Sequence, residues 1–202
     1  PDYLKVPMYD IQVLAPMRRG VLGVERLNRI LQEYLNPPDG KKAEKEWSQG
    51  VFREGDKVMQ IKNNYQLEWE IQGRGGTVQE SGTGVFNGDI GMVKEINAFA
   101  EEMKVEFDEG RVVTYGFEEL HELELAYAVT IHKAQGSEYA AVVIPLLSGP
   151  RMLMTRNLLY TAVTRARSCV CIVGLPETFL AMARSETEQR RYSSLDKRLK
   201  EL

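Results

Sequence analysis

The second half of this chain alternates short apolar runs with amphipathic stretches, and this order constrains the fold more than any other feature. Apolar runs at residues 141–146 and 168–173 predict strands, and periodic patterns at 152–166 and 177–184 predict helices. Strands and helices in this order predict a mostly parallel sheet flanked by helices. A further apolar run at residues 11–15, ended by Pro16, is assigned to the same sheet.

A first helix is predicted after this strand, because apolar residues recur there at i, i+3, i+4, i+7 and i+8. They are Leu27, Ile30, Leu31, Tyr34 and Leu35. The proline-rich and glycine-containing run 36–40 ends the helix. Residues 41–50 are charged and poorly periodic, and are interpreted as a loop.

The middle of the chain predicts a small antiparallel β unit. Strand patterns cover residues 58–61, 91–96, 103–107 and 111–115, and the glycine-rich run 73–84 is typical of a mobile hairpin or loop. We therefore predict an α/β domain formed by residues 1–55 and 124–202, with the β unit at 56–123 inserted into it. The charged run after residue 185 predicts a solvated final helix.

Composition places the chain among ordinary globular proteins, with 43% hydrophobic and 27% charged residues. No apolar run reaches the roughly 20 residues that cross a bilayer, and no signal peptide is recognisable, so a cytoplasmic protein without a membrane partner is expected. Cys169 and Cys171 alternate in an apolar strand pattern and are predicted to be buried structural thiols, without a disulfide or metal site.

Charge is distributed unevenly along the sequence. Residues 128–171 contain five basic residues and one acid, whereas residues 80–125 contain twelve acids and three basic residues. If the protein binds a polyanion, the later segment is expected to supply the attraction, and the acidic segment is expected to face elsewhere.

Two segments contain unusually dense polar chemistry. The first is TIHKAQGSEY, which begins at Thr130 and immediately precedes an apolar strand. Such a loop is suited to contact a ligand: Gly136 permits close backbone approach, and Glu138 can accept a hydrogen bond from a ribose hydroxyl. A solvated loop with a capping residue is the alternative.

The second segment, YTAVTRAR, ends in two arginines. A helical face formed by Leu159, Tyr160, Val163 and Ala166 leaves Arg165 and Arg167 near the helix end. An arginine can stabilise charge on a transferring phosphoryl group, because its guanidinium is permanently charged and forked. Alternatively, both arginines simply favour the negative end of a helix dipole.

TIHKAQGSEY resembles motif V of superfamily 1 helicases, and LLYTAVTRAR resembles their motif VI. VLAPMRRGVLGVERLN resembles the motif IV region of the RecD-like branch, and FREGDKVMQIKNNY with GVFNGDIGMV resembles the part leading into an SH3-like barrel. The resemblance covers residues 11–174. It implies the second RecA-like motor domain of a RecD-like DNA helicase, with a small inserted SH3-like β barrel.

The resemblance also implies roles for the nucleotide-facing residues. Arg165 is expected to reach the γ-phosphate of ATP across a cleft between domains, as an arginine finger. A second arginine, either Arg18 or Arg19 and preferably Arg18, is expected to do the same. Glu138 is expected near the nucleotide sugar, and Gln135 and Gly136 are expected to line the cleft.

A DNA-facing set is implied in the same way. Thr130, His132 and Lys133 are expected to lie toward single-stranded DNA, and Asn63 and Asn64 are further candidates, although loop asparagines are more often turn formers. Trp47 and Trp69 could stack bases, but packing is the favoured interpretation for both. A hydrogen bond to a phosphate or a neighbour suits His132 better than catalysis.

No G-x-x-x-x-G-K-[ST] loop occurs in the sequence, so ATP and Mg²⁺ are expected to bind mainly to an N-terminal RecA-like domain. The first residue is proline, which is typical of an excised fragment, and the fragment alone is expected to be inactive. The chain is expected to function as a fragment of an ATP-dependent bacterial DNA helicase that moves 5′ to 3′ and acts in DNA repair and recombination. Other recombination or nuclease subunits are further expected partners, and a non-catalytic nucleic-acid or protein binding module is the alternative.

Overall fold

The computed structural model describes residues 5–48, 50–73, 77–147, 149–150, 152–185, Arg198 and Lys200. Within these residues the chain forms thirteen strands and three α-helices. They are, in order, β1 (Ile11–Ala15), α1 (Val24–Leu35), β2 (Glu44–Trp47), β3 (Gly50–Arg53), β4 (Lys57–Gln60), β5 (Asn64–Gln72), β6 (Val78–Val85), β7 (Ile90–Asn97), β8 (Glu102–Phe107), β9 (Arg111–Gly116), β10 (Leu123–Leu125), β11 (Ala128–Thr130), β12 (Tyr139–Leu146), α2 (Arg156–Val163), β13 (Ala166–Gly174) and α3 (Pro176–Ala183). None of the helices in this described part is long and apolar enough to span a bilayer.

The predicted parallel sheet is confirmed. Four strands pair in the order β11-β1-β12-β13, and every pair is parallel. The inner strands β1 and β12 supply the buried apolar side chains Leu14, Val142, Ile144 and Leu146. Both strands are short continuous apolar runs, as expected where helices and neighbouring elements cover a parallel sheet.

The antiparallel unit is larger than a small cluster of strands. Seven strands pair in the order β10-β4-β7-β8-β9-β5-β6 around a core of their own, with Val93, Val105 and Val113 fully or almost fully buried. The strands predicted at 91–96, 103–107 and 111–115 correspond to β7, β8 and β9. The domain boundaries at residues 56 and 123 remain a prediction.

Two further segments form β hairpins; the first was interpreted as a loop, and the second was predicted to be a mobile hairpin or loop. Residues 44–53 pair as β2 and β3, and their core contact is the stack of Trp47 on Phe52 at 4.6 Å between ring centroids. The run 73–84 mostly belongs to the hairpin β5-β6, whose residues 74–76 lie outside the described part. The strand at residues 44–47 was missed because its charged side chains show no apolar alternation, whereas the hairpin alternative for residues 73–84 agrees with the pairing of β5 and β6.

The predicted apolar face of α1 is wrong. The helix occurs at the expected position, but its buried residues are Val24, Asn28 and Gln32, whereas Tyr34 is 81% exposed. Asn28 is buried because its side chain pairs with backbone groups of the strand beside it, as described below. Long-range hydrogen bonding therefore decided which face of α1 packs.

The helix predicted at 152–166 is shorter than expected. It starts after Thr155, whose Oγ1 accepts a hydrogen bond from the Leu158 backbone N–H at 3.2 Å. It ends at Val163, and Ala166 already belongs to β13. Its buried side chains are Leu158, Leu159 and Ala162, so the predicted face that included Tyr160 and Val163 is also wrong.

The predicted burial of the two cysteines is wrong as well. Both are free thiols; Cys169 is half-buried and Cys171 is exposed. They lie on β13, the last strand of the parallel sheet, and most residues of β13 are exposed. The final helix predicted after residue 185 lies almost wholly outside the described residues.

Polar side chains join the two sheets. Gln12 on β1 donates to the carbonyl oxygens of Ala126 and Tyr127, and Lys57 on β4 donates to the carbonyl oxygen of Tyr9 at 2.7 Å. Asp56 is fully buried between them. Because these bonds run from side chains to distant backbone, they set the position of one sheet against the other.

Candidate nucleotide and nucleic-acid interfaces

The segment 131–138 crosses from the end of β11 to the start of β12 in a series of tight turns. Ile131 N–H donates to the Ala15 carbonyl, and Ser137 N–H donates to the Ala134 carbonyl at 3.1 Å. Gly136 has φ +92°, a conformation that a side chain rarely adopts. The turns place Thr130 and His132 near one edge of the sheet, and Ser137 and Glu138 near the other.

Arg165 lies in the turn between α2 and β13, at the amino-terminal edge of the sheet. Its guanidinium donates to the carbonyl oxygens of Ser137 at 3.1 Å and Thr161 at 3.3 Å, and to the hydroxyl of Thr164 at 3.4 Å. Its own carbonyl accepts from the Tyr139 N–H at 2.8 Å. These contacts tie the TRA triplet directly to the TIHKAQGSEY segment.

The charge of Arg165 is not neutralised by the residues around it. All three of its acceptors are neutral oxygens, and the described residues include no acidic group within ion-pair distance of it. The side chain is half-buried, so its position is restrained while part of the guanidinium remains accessible. Such a group is available to an incoming anion.

Glu138 lies beside Arg165 but pairs with Arg167. Arg167 Nε donates to Glu138 Oε2 at 2.9 Å, and the two side chains are 69% and 55% exposed. Both line a polar cleft of about 490 Å³ between the parallel sheet and the turns of the antiparallel unit. The other side of this cleft includes Lys57, Asp89 and Asp108.

Arg18 and Arg19 are not brought together with Arg165. They follow the carboxyl end of β1, whereas Arg165 precedes the amino end of β13, and a five-residue strand spans about 17 Å between those edges. Arg18 donates instead to Glu124 and to Glu25, the latter at 3.0 Å, and these bonds raise its pKa. The contact of either arginine with the same γ-phosphate as Arg165 remains a prediction.

The same corner contains a second, larger cavity of about 690 Å³. Arg18 and Arg19 line it together with Arg29, Asn28 and Glu124. Lys133 approaches the same acid, with Nζ 3.7 Å from Glu124 Oε2, so this predicted DNA-facing lysine lies near Arg18. Thr130 Oγ1 accepts from the Lys133 N–H at 3.3 Å, and His132 is exposed.

Asn63 and Asn64 both organise local turns. Asn63 Oδ1 accepts from the Asn87 N–H at 2.9 Å, and Asn64 Oδ1 accepts from the Gln66 N–H at 3.1 Å. Their predicted contact with DNA remains a prediction. Trp69 packs over Gly82, where an added Cβ would lie 2.4 Å from its ring, so packing rather than base stacking describes it.

Two family models match successive parts of the sequence. The SH3 domain of ATP-dependent RecD-like DNA helicases matches residues 27–107, and the UvrD-like helicase C-terminal domain matches residues 125–173. Between them they include the antiparallel strands from β2 to β8 and most of the parallel sheet. The chain belongs to the RecD-like helicase family. The SH3 match begins within α1, well before the predicted boundary at residue 56.

Curated relatives of this RecD-like segment include RecD proteins from several bacteria. It is 37% identical over 187 residues to the ATP-dependent RecD2 DNA helicase of Deinococcus radiodurans, covering 93% of this chain and 23% of that protein. It is 32% identical over 189 residues to the RecBCD enzyme subunit RecD of Mycolicibacterium smegmatis, covering 94% of this chain and 29% of that protein. The chain thus spans about a quarter of the length of these relatives.

A solved structure shows the same fold at low sequence identity. The Pif1 helicase from Bacteroides, crystallised with ADP-AlF3 and single-stranded DNA, aligns with a TM-score of 0.51 and 16% identity. The alignment covers 93% of this chain and 44% of that one. The predicted fold class, a RecA-like parallel sheet with an antiparallel β insertion, is therefore confirmed for this RecD-like segment.

Sequence reasoning missed two features of the site. Arg167 pairs with Glu138, but in the sequence it appeared only as a helix-end charge. Lys57 lines the same cleft although its ammonium is mostly buried. The only signal for Lys57 was an isolated charge at the start of an apolar strand, which does not distinguish a buried lysine from a solvated one.

Proposed function

We propose that this chain is the C-terminal motor portion of an ATP-dependent DNA helicase, and that Arg165 contacts the γ-phosphate of ATP held by an N-terminal RecA-like domain. The relative from Deinococcus radiodurans is an ATP-dependent DNA helicase by name, and the Pif1 structure contains an ADP-AlF3 complex and single-stranded DNA. The proposed activity requires the N-terminal domain in addition to these 202 residues.

The observation that supports the proposal most directly is that the Arg165 guanidinium is held by neutral acceptors and has no acidic partner among the described residues. Neutral oxygens hold it at the rim of the parallel sheet, so its charge is available while its orientation is restrained. A phosphoryl group arriving from a neighbouring domain would gain a charge-assisted, forked hydrogen bond without first breaking an ion pair.

The neighbouring residues suit the rest of the nucleotide. Glu138 and the exposed Gln135 and Gly136 belong to the same segment as Ser137, which Arg165 contacts directly. We assign Glu138 to the sugar side of the nucleotide, where Arg167 orients its carboxylate. Arg18 and Arg19 lie at the opposite edge of the sheet, so the proposal does not assign either of them to this phosphate.

Mg²⁺ and the phosphate cradle are assigned to the N-terminal domain. The described residues contain no group of three His, Cys, Asp or Glu side chains suited to a metal ion. Single-stranded DNA is assigned to the edge containing Thr130, His132 and Lys133. Movement in the 5′ to 3′ direction and association with recombination or nuclease subunits are expected by analogy with RecD proteins.

The test uses the full-length protein with Arg165→Ala. DNA-stimulated ATP hydrolysis should fall by about 1000-fold or more, because arginine fingers contribute that much to phosphoryl transfer. ATP binding, measured with a fluorescent nucleotide, should remain within about three-fold, because the phosphate cradle lies elsewhere. Arg165→Lys should remain strongly impaired, since an ammonium retains the charge but not the fork.

Arg184→Ala is the matched control, because Arg184 is an exposed arginine at the end of α3 that lines neither of the two cavities described above. It should hydrolyse ATP at the wild-type rate. Normal turnover by a folded Arg165→Ala protein would rule out the proposed role for this arginine.

A further inference from the structure

Two aromatic side chains are exposed together at one end of the antiparallel unit. Tyr65, at the start of β5, is 68% exposed, and Phe86, just after β6, is 43% exposed. Their rings meet edge to face, with centroids 5.6 Å apart and planes at 74°. The hydrophobic core of the unit is complete without them.

The backbone beneath the rings is well fixed. Phe86 N–H donates to Asp89 Oδ2 at 3.1 Å, and the Asn87 N–H donates to Asn63 Oδ1 at 2.9 Å. Asn64 pairs with Val85 in the β5-β6 ladder. The rings are therefore positioned before any partner arrives, which lowers the entropic cost of binding.

Gly84 contributes to the placement of Phe86. It has φ +101°, and a Cβ at this position would lie 3.1 Å from Phe86 Cζ. Any larger residue would both strain the backbone and press on the ring. The local geometry thus accommodates an exposed phenylalanine rather than burying it.

The surroundings of the pair suit a nucleic-acid base better than an apolar protein surface. Lys62, Asn63 and Asn87 are exposed beside the rings, and they offer hydrogen bonds to base edges or phosphates. The nearby carboxylate of Asp89 is occupied by the Phe86 N–H and lies 3.7 Å from the Arg111 guanidinium. Since the unit as a whole is acidic, binding here would depend on stacking rather than on phosphate attraction.

The strand segments next to the pair pack against the same core as the predicted DNA-facing turn. Ile61 and Ile90, each four residues from one of the rings, pack against the core cluster that includes Ile131 and Ala134. Those two residues flank His132 and Lys133 in the sequence. The segments that contain the aromatic pair and the turn are therefore attached to one core.

We propose that Tyr65 and Phe86 form a stacking platform for an unpaired base of single-stranded DNA. The proposal rests on the proposed helicase function, and it assigns the inserted β unit a direct share of strand binding. Aromatic faces stack on any base, so the platform would hold the strand without regard to sequence.

The test compares strand binding by the full-length protein and its Tyr65→Ala/Phe86→Ala variant. The probes are a labelled oligothymidylate of about 16 nucleotides and an equally long strand with internal abasic sites, a length that fits known single-strand sites. The wild type should prefer the thymidylate. The variant should bind it about ten-fold or more weakly and lose most of the preference.

Phe99→Ala is the matched control, because Phe99 is a fully exposed aromatic in the turn between β7 and β8 of the same sheet. It should leave binding unchanged, and Tyr65→Phe/Phe86→Tyr should retain it, since both rings remain. Unchanged thymidylate affinity in the folded double alanine variant would overturn the proposal. An equal loss of affinity for both probes would also overturn it. So would a double alanine variant with altered stability but normal strand binding, because the two rings would then serve contacts within the protein.

The outcome is separable from the test of Arg165. Strand binding is measured without ATP, whereas the arginine is tested by hydrolysis. Loss of stacking in a protein that hydrolyses ATP normally without DNA supports the platform alone. A failed Arg165 test leaves the comparison between thymidylate and abasic strands fully informative.

Discussion

Lys57 shows how burial changes the pKa of a single side chain. The residue is only 5% exposed, and its ammonium donates to the Tyr9 carbonyl oxygen. Burial lowers its pKa to about 8 from the ordinary lysine value of 10.5, although Asp10 and Asp108 partly oppose this shift. The charged form is therefore less stable in the folded protein than in the unfolded chain.

We predict that Lys57 makes the free energy of unfolding rise between pH 8 and pH 10. In that window the unfolded chain binds more protons than the folded one, so raising the pH favours folding. The expected contribution is roughly 2 kcal/mol. Chemical denaturation of the 202-residue chain at closely spaced pH values measures it.

Lys57→Met should flatten this pH dependence. Above pH 10 the buried tyrosines act in the opposite direction: burial raises the pKa values of Tyr115 and Tyr127, so the folded state retains protons that the unfolded chain loses. A wild-type slope that persists in Lys57→Met would show that another group causes it.

At the scale of elements, α1 packs through amide side chains. Asn28 Nδ2 donates to the carbonyl oxygens of Leu125 at 2.7 Å and Ala128 at 3.0 Å, and its Oδ1 accepts from the Ala128 N–H at 2.7 Å. Gln32 donates to the Val51 carbonyl oxygen at 2.9 Å. The helix thus completes the hydrogen bonding of the strand beside it.

Asn28→Leu should destabilise the chain despite adding an apolar residue to a helix. Three backbone groups would lose their partner, which should lower the free energy of unfolding by about 2–4 kcal/mol. Tyr34→Ala, on the exposed face of the same helix, should change it by less than about 0.5 kcal/mol. Equal effects of the two substitutions in urea denaturation would contradict this account of the helix.

This helix also shows what periodicity can predict. The spacing of Leu27, Leu31 and Leu35 placed the helix at the right position, because a helix requires only local contacts and an amphipathic pattern. It selected the wrong face, because the partners of Asn28 are about one hundred residues away in the sequence. Helix α2 was predicted correctly as a helix but with bounds that are too wide, and the hairpin β2-β3 was interpreted as a loop.

At the scale of the whole molecule, Asp56 joins three parts of the structure. Its carboxylate accepts from Gln32 and Asn36 at α1 and its end, from the Arg53 N–H at 2.7 Å, and from the Tyr127 hydroxyl at 2.8 Å. Burial raises its pKa, while these donors oppose that shift. The two sheets are therefore connected through one buried carboxylate.

Asp56→Asn should weaken both sheets together. An amide must direct an N–H toward at least one of the donors, which should lower the free energy of unfolding by about 3 kcal/mol. Tryptophan fluorescence and far-ultraviolet circular dichroism should still report one transition. Glu33→Gln, on the exposed side of α1, is the control and should leave the free energy of unfolding unchanged. Separate transitions in the wild type would contradict this account, because the two sheets would then unfold independently.

The amino-acid sequence by itself determined the positions of most strands and helices and the two motif segments that indicate a RecD-like helicase. The positions of these elements follow from the spacing of residues close together in the chain, and the motif segments are short runs of particular side chains. The tertiary structure alone decided that Arg165 lies beside Glu138 while Arg18 and Arg19 lie at the opposite edge. Strand order and direction set that separation, and they result from contacts between residues far apart in the chain.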